Sequence, residues 1–578
     1  MRFSCPLFAA AGGVLASFVL PSIGLASFVL AACVARAPAA AQATARADVV
    51  VVNATIHTAD DAKPRAGAMA VQGGRVTYVG TNAGARALAS TATHIIDAKG
   101  RTVVPGMVDA HAHLAGLGQA LRIVDLTGTT SYQQVVDRVV ARAKAAPKGT
   151  WVLGRGWDQN DWADKKFPTH DLLTRAVPDH PVLLTRIDGH AVFANATAME
   201  LAGVTANAKD PDGGRVERDG KGFPTGVFVD NAMQLVSRIV PPSSPAQWRE
   251  MVLAAIAEAN KWGLTGVHDA GQGPPMIVLY EQLASEGKYN LRNYVMVSDG
   301  AGLDSLLAIG PRSGLFDGRL WIRSIKLYGD GALGSRGAAL LEPYSDDAKN
   351  TGLLISSREH ITEVSVKALK AGFQVNTHAI GDRANRVALD AYEQAFALVP
   401  GKDHRFRIEH AQIISPADIP RFAKLQVIPS MQASHQTSDM YWAKDRLGDA
   451  RLAGAYAWRS LLKTGVIVPN GSDFPVERVN PLISFHSAVT RQDAKNWPAG
   501  GWRPEERMTR AEALKSMTLW PAIAAFQEAE LGTLAVGKRA DFVILDQDIM
   551  TVPPDRILAT HVLATYLGGK AVYERKQE

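Results

Sequence analysis

The stretch VVPGMVDAHAH, residues 103–113, opens as an apolar run and ends in Asp109, His111 and His113. A short Val-rich run of this kind, bounded by turn residues, reads as a strand buried on both faces. Seven further runs of the same type follow: LTGVHDA (264–270), LRNYVMV (291–297), IRSIKLY (322–328), FQVNTHA (373–379), RFRIEHA (405–411), LQVIPSM (425–431) and VIVPNGS (466–472). Helical segments separate most of them, such as WREMVLAAIAEANKWG before the second and REHITEVSVKALKAG before the fifth. Strands alternating with helices make parallel βαβ units. Eight such strands, with VVPGMVDA (103–110) as the first, predict an α/β fold, a distorted (β/α)8 TIM barrel.

The spacing between the first two strands is too long for one crossover. Residues 115–262 are therefore read as an inserted subdomain, containing Trp151, Trp157, Trp162 and the run PVLLTRIDGH. The barrel itself is assigned to 104–533. Short alternating strands with Gly and Asp/Asn turns fill 47–103, and similar strands return in 534–578. Together the two chain ends predict one small β-sandwich.

The chain has 578 residues, is 47% hydrophobic and 20% charged, and carries 62 Lys+Arg against 56 Asp+Glu. These proportions exclude a largely disordered chain, a collagen and a coiled coil. A net charge of +6 without a dense basic block excludes nucleic acid as the expected partner. The two cysteines, Cys5 and Cys33, both lie in the first 33 residues. The rest of the chain has neither a cysteine nucleophile nor a Cys-ligated metal site. Residues 1–43 read as an export signal: Arg2 precedes a long apolar stretch, and Ala41-Gln42-Ala43 fits a small-x-small cleavage site. Leu30-Ala31-Ala32-Cys33 also fits a lipobox, which would leave a lipid on Cys33, and the apolar stretch could span a bilayer uncleaved. The protein is expected outside the cytoplasm, in a bacterial periplasm or as a membrane-anchored lipoprotein. Membrane contact is expected only through the signal or the lipid.

The polar residues fall at the C-terminal ends of the strands, where barrels build their active sites. Strand one ends in His111 and His113, which share a face as i and i+2 of a strand and can address one ion. Strand four carries Lys326, strand five ends at His378, strand six at His410 and strand eight at Asp473. Taken singly, each has an ordinary structural explanation. As a set at one rim they are better explained by a shared metal. Lys326 could simply pair with Asp330. Buried near cations, its neutral amine could instead add carbon dioxide and give a bidentate carbamate ligand. Asp473 is placed to act as a general base.

The motifs VVPGMVDAHAH, GRGWDQNDW, RIDGHAVFANATAM, GLTGVHDAG, IKLYGDGALGSRGAA, NTHAIGDRANR, RIEHAQ and NGSDFPV, with the tail LGTLAVGKRADFVILD, resemble the amidohydrolase superfamily of metal-dependent hydrolases. Within it the likeness is to the YtcJ-like (amidohydrolase 3) branch, from about residue 48 to 573. The resemblance implies a distorted barrel plus a β-sandwich made from both chain ends. It implies that His111 and His113 bind one divalent metal with Asp473 beside it, and that His378 and His410 bind a second. Carboxylated Lys326 would bridge the two. One or two ions per chain, with zinc the expected metal, are compatible with it. It further implies hydrolysis of an amide, carbamate or related C–N bond in a small molecule by metal-activated water, with Asp473 passing a proton to the departing nitrogen. Trp157, Asp158, Asp188 and His190 are the substrate contacts implied by motif position, and His190 would also hydrogen-bond a tetrahedral intermediate. His435 either faces substrate or lies on the surface. Ala433 departs from the family pattern, in which a proline often follows the Gln of MQASHQ. Two other readings stand beside this one: the same site used for deamination or for lactone or ester hydrolysis, and a non-catalytic metal-binding scaffold. A homodimer is the default expectation for assembly.

Overall fold

The computed structural model of the chain describes residues 46–401 and 403–576. The expected export signal at 1–43 and the lipobox at Cys33 lie outside the described residues.

Eight parallel strands run in one sheet in sequence order: β1 (Met107–Ala112), β2 (Leu264–Gln272), β3 (Arg292–Ser298), β4 (Leu320–Tyr328), β5 (Gln374–Ala379), β6 (Arg407–His410), β7 (Ile428–Gln432) and β8 (Asn470–Gly471). The order and direction are those of a (β/α)8 barrel. The β8 and β1 ends meet at the rim. There the Asp473 N–H donates to the His111 carbonyl at 2.8 Å and the His113 N–H to the Phe474 carbonyl at 2.9 Å. Gly471 permits this approach, because a Cβ on it would lie 2.5 Å from the His111 nitrogen. The barrel core joins strand residues such as Val295, Ile325, Val375 and Ile408 to helix residues such as Ile256, Leu389 and Leu482, all fully or almost fully buried.

The run VVPGMVDA is not one strand. Thr102–Pro105 pairs with Phe542–Leu545 and Thr55–His57 in a different sheet, and β1 starts only at Met107. The break falls at Gly106, where a Cβ would clash with Thr265 Oγ1 at 2.2 Å. The apolar run is continuous because both halves are buried, Val103 against the core of the two chain ends and Val104 and Met107 against the barrel core.

That second sheet is six-stranded. It sets Lys570–Glu574, Val562–Leu567 and Phe542–Leu545 from the C-terminal end edge to edge with Thr102–Pro105, Thr55–His57 and Arg65–Ala66 from the N-terminal end. A four-stranded sheet (Arg75–Gly80, Ala68–Gln72, Val49–Val52, His94–Asp97) packs on it. Val49, Val51, Met69 and Val71 meet Val103, Phe542, Ile544 and Tyr566 in a core shared by both chain ends.

The segment between β1 and β2 carries its own six-stranded sheet, from Val124–Asp125 to Pro224–Asp230. Trp157, Trp162, Phe193 and Leu184 build its core. The inserted sheet is shorter than the 115–262 interval. Helix Pro245–Lys261 buries Val252, Ala255, Ile256 and Ala259 in the barrel core and serves as the crossover into β2. Its start is fixed by a capping box, Ser244 with Gln247, and by Pro245 in the first turn.

Candidate active site

His111 is the penultimate residue of β1, and His113 sits one residue past the strand, on the first turn of helix Leu114–Ala120. Their rings are 5.5 Å apart. His111 Nδ1 lies 2.5 Å from Glu409 Oε2, and His113 Nδ1 lies 3.1 Å from the Ala270 carbonyl. Both partners accept, so both Nδ1 atoms carry the proton, and each Nε2 presents a lone pair. Those lone pairs converge on Asp473 Oδ1, at 3.5 Å from His111 and 3.0 Å from His113. Asp473 Oδ1 is closed off from solvent and finds no well-directed hydrogen bond.

His410, at the end of β6, repeats the arrangement: its Nδ1 is 2.7 Å from Gln432 Oε1. Its ring lies 4.8 Å from that of His111 and 4.4 Å from that of His378. His378, on β5, has its Nε2 3.4 Å from the Gly331 carbonyl. Donor atoms of His111, His410 and Asp473 lie within 4.8 Å of one another. His410 and Asp473 hold φ of 73° and 59°. Left-handed backbone at non-glycine residues costs on the order of 1–3 kcal/mol each, and such strain clusters at functional sites.

Burial lowers His111 to about 4, and it pushes His378 and His410 well below the ordinary histidine value. All three are neutral imidazoles, the form that ligates metal. Burial works against the Asp473 carboxylate, but His435, against its other oxygen, holds it well below the usual carboxylate range. A solvent-free carboxylate oxygen faced by two imidazole lone pairs is matched by a cation between them. The residues present therefore fit a divalent metal.

Lys326, on β4, is fully buried, with Nζ 3.2 Å from His111 Nε2. It does not pair with Asp330. That carboxylate accepts the backbone N–H groups of Ala339, Ile380 and Gly381 at 2.8–2.9 Å. Burial lowers the Lys326 amine to about 8.

Behind the rim, the barrel interior is polar. Arg407 donates to His268 Nδ1 at 2.8 Å, the Ala110 carbonyl at 2.6 Å and Ser430 Oγ at 2.8 Å, and its Nε lies 2.7 Å from Glu409 Oε1. Glu409 was not singled out from the sequence, although it stands in RIEHA. The signal was available: a ligating imidazole needs an acceptor for its other nitrogen, and the residue before His410 is the acidic one.

A cavity of about 910 Å³ opens over these residues, lined among others by Arg155, His190, His378, His410, His435 and Asp473. His190 Nδ1 donates to Asp230 Oδ1 at 2.7 Å, and its ring is 5.1 Å from that of His378. Burial opposes protonation of His190, but the Asp230 hydrogen bond and charge raise its pKa overall. Protonation matters, because with Nδ1 committed to Asp230 only the imidazolium has an Nε2–H to donate. His435 faces the cavity. It lies between Asp473 Oδ2 and Glu477 Oε1, each at 3.4 Å, and these two outweigh burial to raise it to about 10. Ala433 donates its N–H to Asn470 Oδ1 at 3.0 Å, a bond that a proline could not make.

The insert residues divide. Asp158 and Asp188 line the cavity, but both also clamp the buried Arg186 guanidinium. Trp157 does not reach the cavity and is no substrate contact. It is 1% exposed, donates Nε1–H to the Leu184 carbonyl at 2.9 Å, and packs against Trp162, Phe167 and Phe193. Strand alternation alone would set it on the face of Arg155, but the register break between Arg155 and Trp157, with Gly156 at φ 106°, turns it into the insert core.

The model of the amidohydrolase family matches residues 94–573. The Bacillus subtilis (strain 168) protein YtcJ is 34% identical over 492 residues, covering 84% of this chain and 92% of that protein. The N-substituted formamide deformylase of Arthrobacter pascens is 29% identical over 548 residues, covering 91% and 98%. Among solved structures, an uncharacterised metal-dependent hydrolase from Pyrococcus furiosus superposes with a TM-score of 0.69 at 30% identity, covering 87% of this chain and all of that one.

Proposed function

The chain belongs to the amidohydrolase family and is a metal-dependent hydrolase acting on carbon–nitrogen bonds; within that frame we propose that it is an exported zinc enzyme cleaving the amide bond of a small N-acyl compound. The observation that carries the reading is the convergence of the His111 and His113 lone pairs on the unsatisfied Asp473 oxygen. His111, His113 and Asp473 would hold one ion, and His378 and His410 a second. Nitrogen and oxygen donors without a thiolate suit zinc. Lys326 supports a bridging carbamate: with its amine lowered to about 8, roughly a tenth of it is neutral at pH 7 and able to add carbon dioxide.

When bound, the metal supplies a nucleophilic water at neutral pH and polarises the carbonyl. The chain's own groups do the rest. Asp473, kept ionised by His435, accepts the proton of the attacking water and delivers it to the departing nitrogen. Protonated His190, fixed by Asp230, donates from Nε2 to the oxygen that gains charge. The cavity of about 910 Å³ suits a small molecule. The deformylase likeness supports an N-substituted amide. The signal at 1–43 supports export, and mass spectrometry of the mature N-terminus checks it: an intact Met1 on cytoplasmic protein would overturn it.

The function is tested by elemental analysis together with an amide panel, assayed before and after chelation and zinc readdition. One or two ions per chain, with amide cleavage lost on chelation and restored by zinc, are expected. Folded, zinc-loaded protein that deaminates rings or opens lactones but leaves every amide intact would replace this reading.

A further inference from the structure

Arg155 lies on strand Val152–Trp157 of the inserted sheet and lines the cavity. Its one protein hydrogen bond runs from Nη2 to the Ile187 carbonyl at 2.9 Å, and its buried Nε has no partner. Among the described residues no carboxylate pairs with it. The insert carboxylates that share its cavity wall are already committed. Asp188 accepts from Arg186 and from the His190 N–H, and Asp158 accepts from Arg186 and from the Asn160 N–H. Arg186, fully buried, has all the anionic partners, while Arg155 at the cavity wall has none.

The location is close to the chemistry. A Cβ on Gly189, the residue before His190, would lie 3.3 Å from Arg155 Nη2. The carboxylate whose charge acts on Arg155 most strongly is Asp473. A partly buried guanidinium with open donors is costly in the free protein. A planar carboxylate, which matches the guanidinium fork, relieves that cost.

We infer that Arg155 anchors a carboxylate on the substrate next to the scissile bond, so that the enzyme acts on amides bearing a carboxylate rather than on neutral amides. This rests on the amide-hydrolysis reading. Arg155 is a specificity residue and takes no part in bond breaking.

The zinc-loaded full chain, Arg155→Met and Arg155→Lys are compared on an N-acetyl amino acid and on the matching N-acetyl amine that lacks the carboxylate. Wild type is expected to prefer the carboxylated amide. In Arg155→Met the ratio of kcat/KM values for the pair falls about 10–100-fold, mainly through KM, the range charge-assisted hydrogen bonds reach. Arg155→Lys restores part of it. Equal losses on both amides, or a wild type indifferent to the carboxylate, would overturn the inference. Calorimetric binding of the free amino-acid product separates this from the functional reading. If no amide is cleaved, the hydrolysis reading fails, while at least tenfold weaker product binding in Arg155→Met still supports the anchor and equal binding removes it. Should Arg155→Met not fold, the Arg155→Lys comparison decides: unchanged selectivity and product binding there would count against a fork-specific anchor.

Discussion

Glu409→Gln isolates the group that orients His111. Glu409 is fully buried, accepts from His111 Nδ1 at 2.5 Å and pairs with Arg407 at 2.7 Å. Gln keeps the shape, but it removes the charge that strengthens the His111 hydrogen bond and balances Arg407. Partners of ligating histidines are typically worth ~10–100-fold in metal affinity. Hydrogen bonds to charged groups contribute about 1.5–3 kcal/mol, which is about one to two decades of affinity at 1.4 kcal/mol per decade. The two estimates agree. Leaving Arg407 without its counter-charge adds a folding cost on the order of 3–5 kcal/mol. It is reduced here because Ala110 and Ser430 still accept from the guanidinium. The assay is competition with a chromophoric zinc chelator at fixed pH, alongside thermal unfolding of loaded and stripped protein. The ion held by His111 should bind ~10–100-fold more weakly, and any ion held by His378 and His410 should change less. Folded Glu409→Gln that binds its metal within about twofold of wild type would refute the reasoning.

Asp473→Asn should fold and keep at least the ion held by His378 and His410, while kcat falls ~10²–10⁴-fold, as loss of a positioned proton carrier does; near-normal turnover would remove Asp473 from that role. Trp157→Ala should lower stability by about 3–5 kcal/mol, the usual cost of emptying a large aromatic site, with KM unchanged among molecules that remain folded. A raised KM at undiminished Tm would return Trp157 to the substrate site.

Much of the candidate site was readable because chain order and barrel geometry coincide. In a parallel barrel every strand delivers its last residues to one rim, so His111, Lys326, His378, His410 and Asp473 could be collected without knowing any contact. What could not be read is which groups stand behind them. Glu409 is marked as an acceptor by its place in RIEHA, but that it serves His111, and that Asp230 and Gln432 serve His190 and His410, follows only from the fold. Trp157 shows the reverse failure. Its motif neighbours Arg155 and Asp158 face the cavity, and the two-residue period would set Trp157 beside Arg155, but the register break at Gly156 turns it into the core. The broken run at Gly106 has the same origin, since burial looks alike in sequence whichever core provides it.

The sequence by itself determined the barrel, the insert and the two-ended sandwich, because hydrophobic periodicity and element order are local properties of the chain. It also determined the donor types at the rim. Only the tertiary structure decided that His111, His378 and His410 are neutral, that His111, His113 and His410 are tied back through Nδ1, and that Asp473 Oδ1 is left unsatisfied. It alone showed Arg186 compensated where Arg155 is not. Desolvation and charge pairing depend on what lies within a few ångströms in space, and that information is absent from the order of residues along the chain.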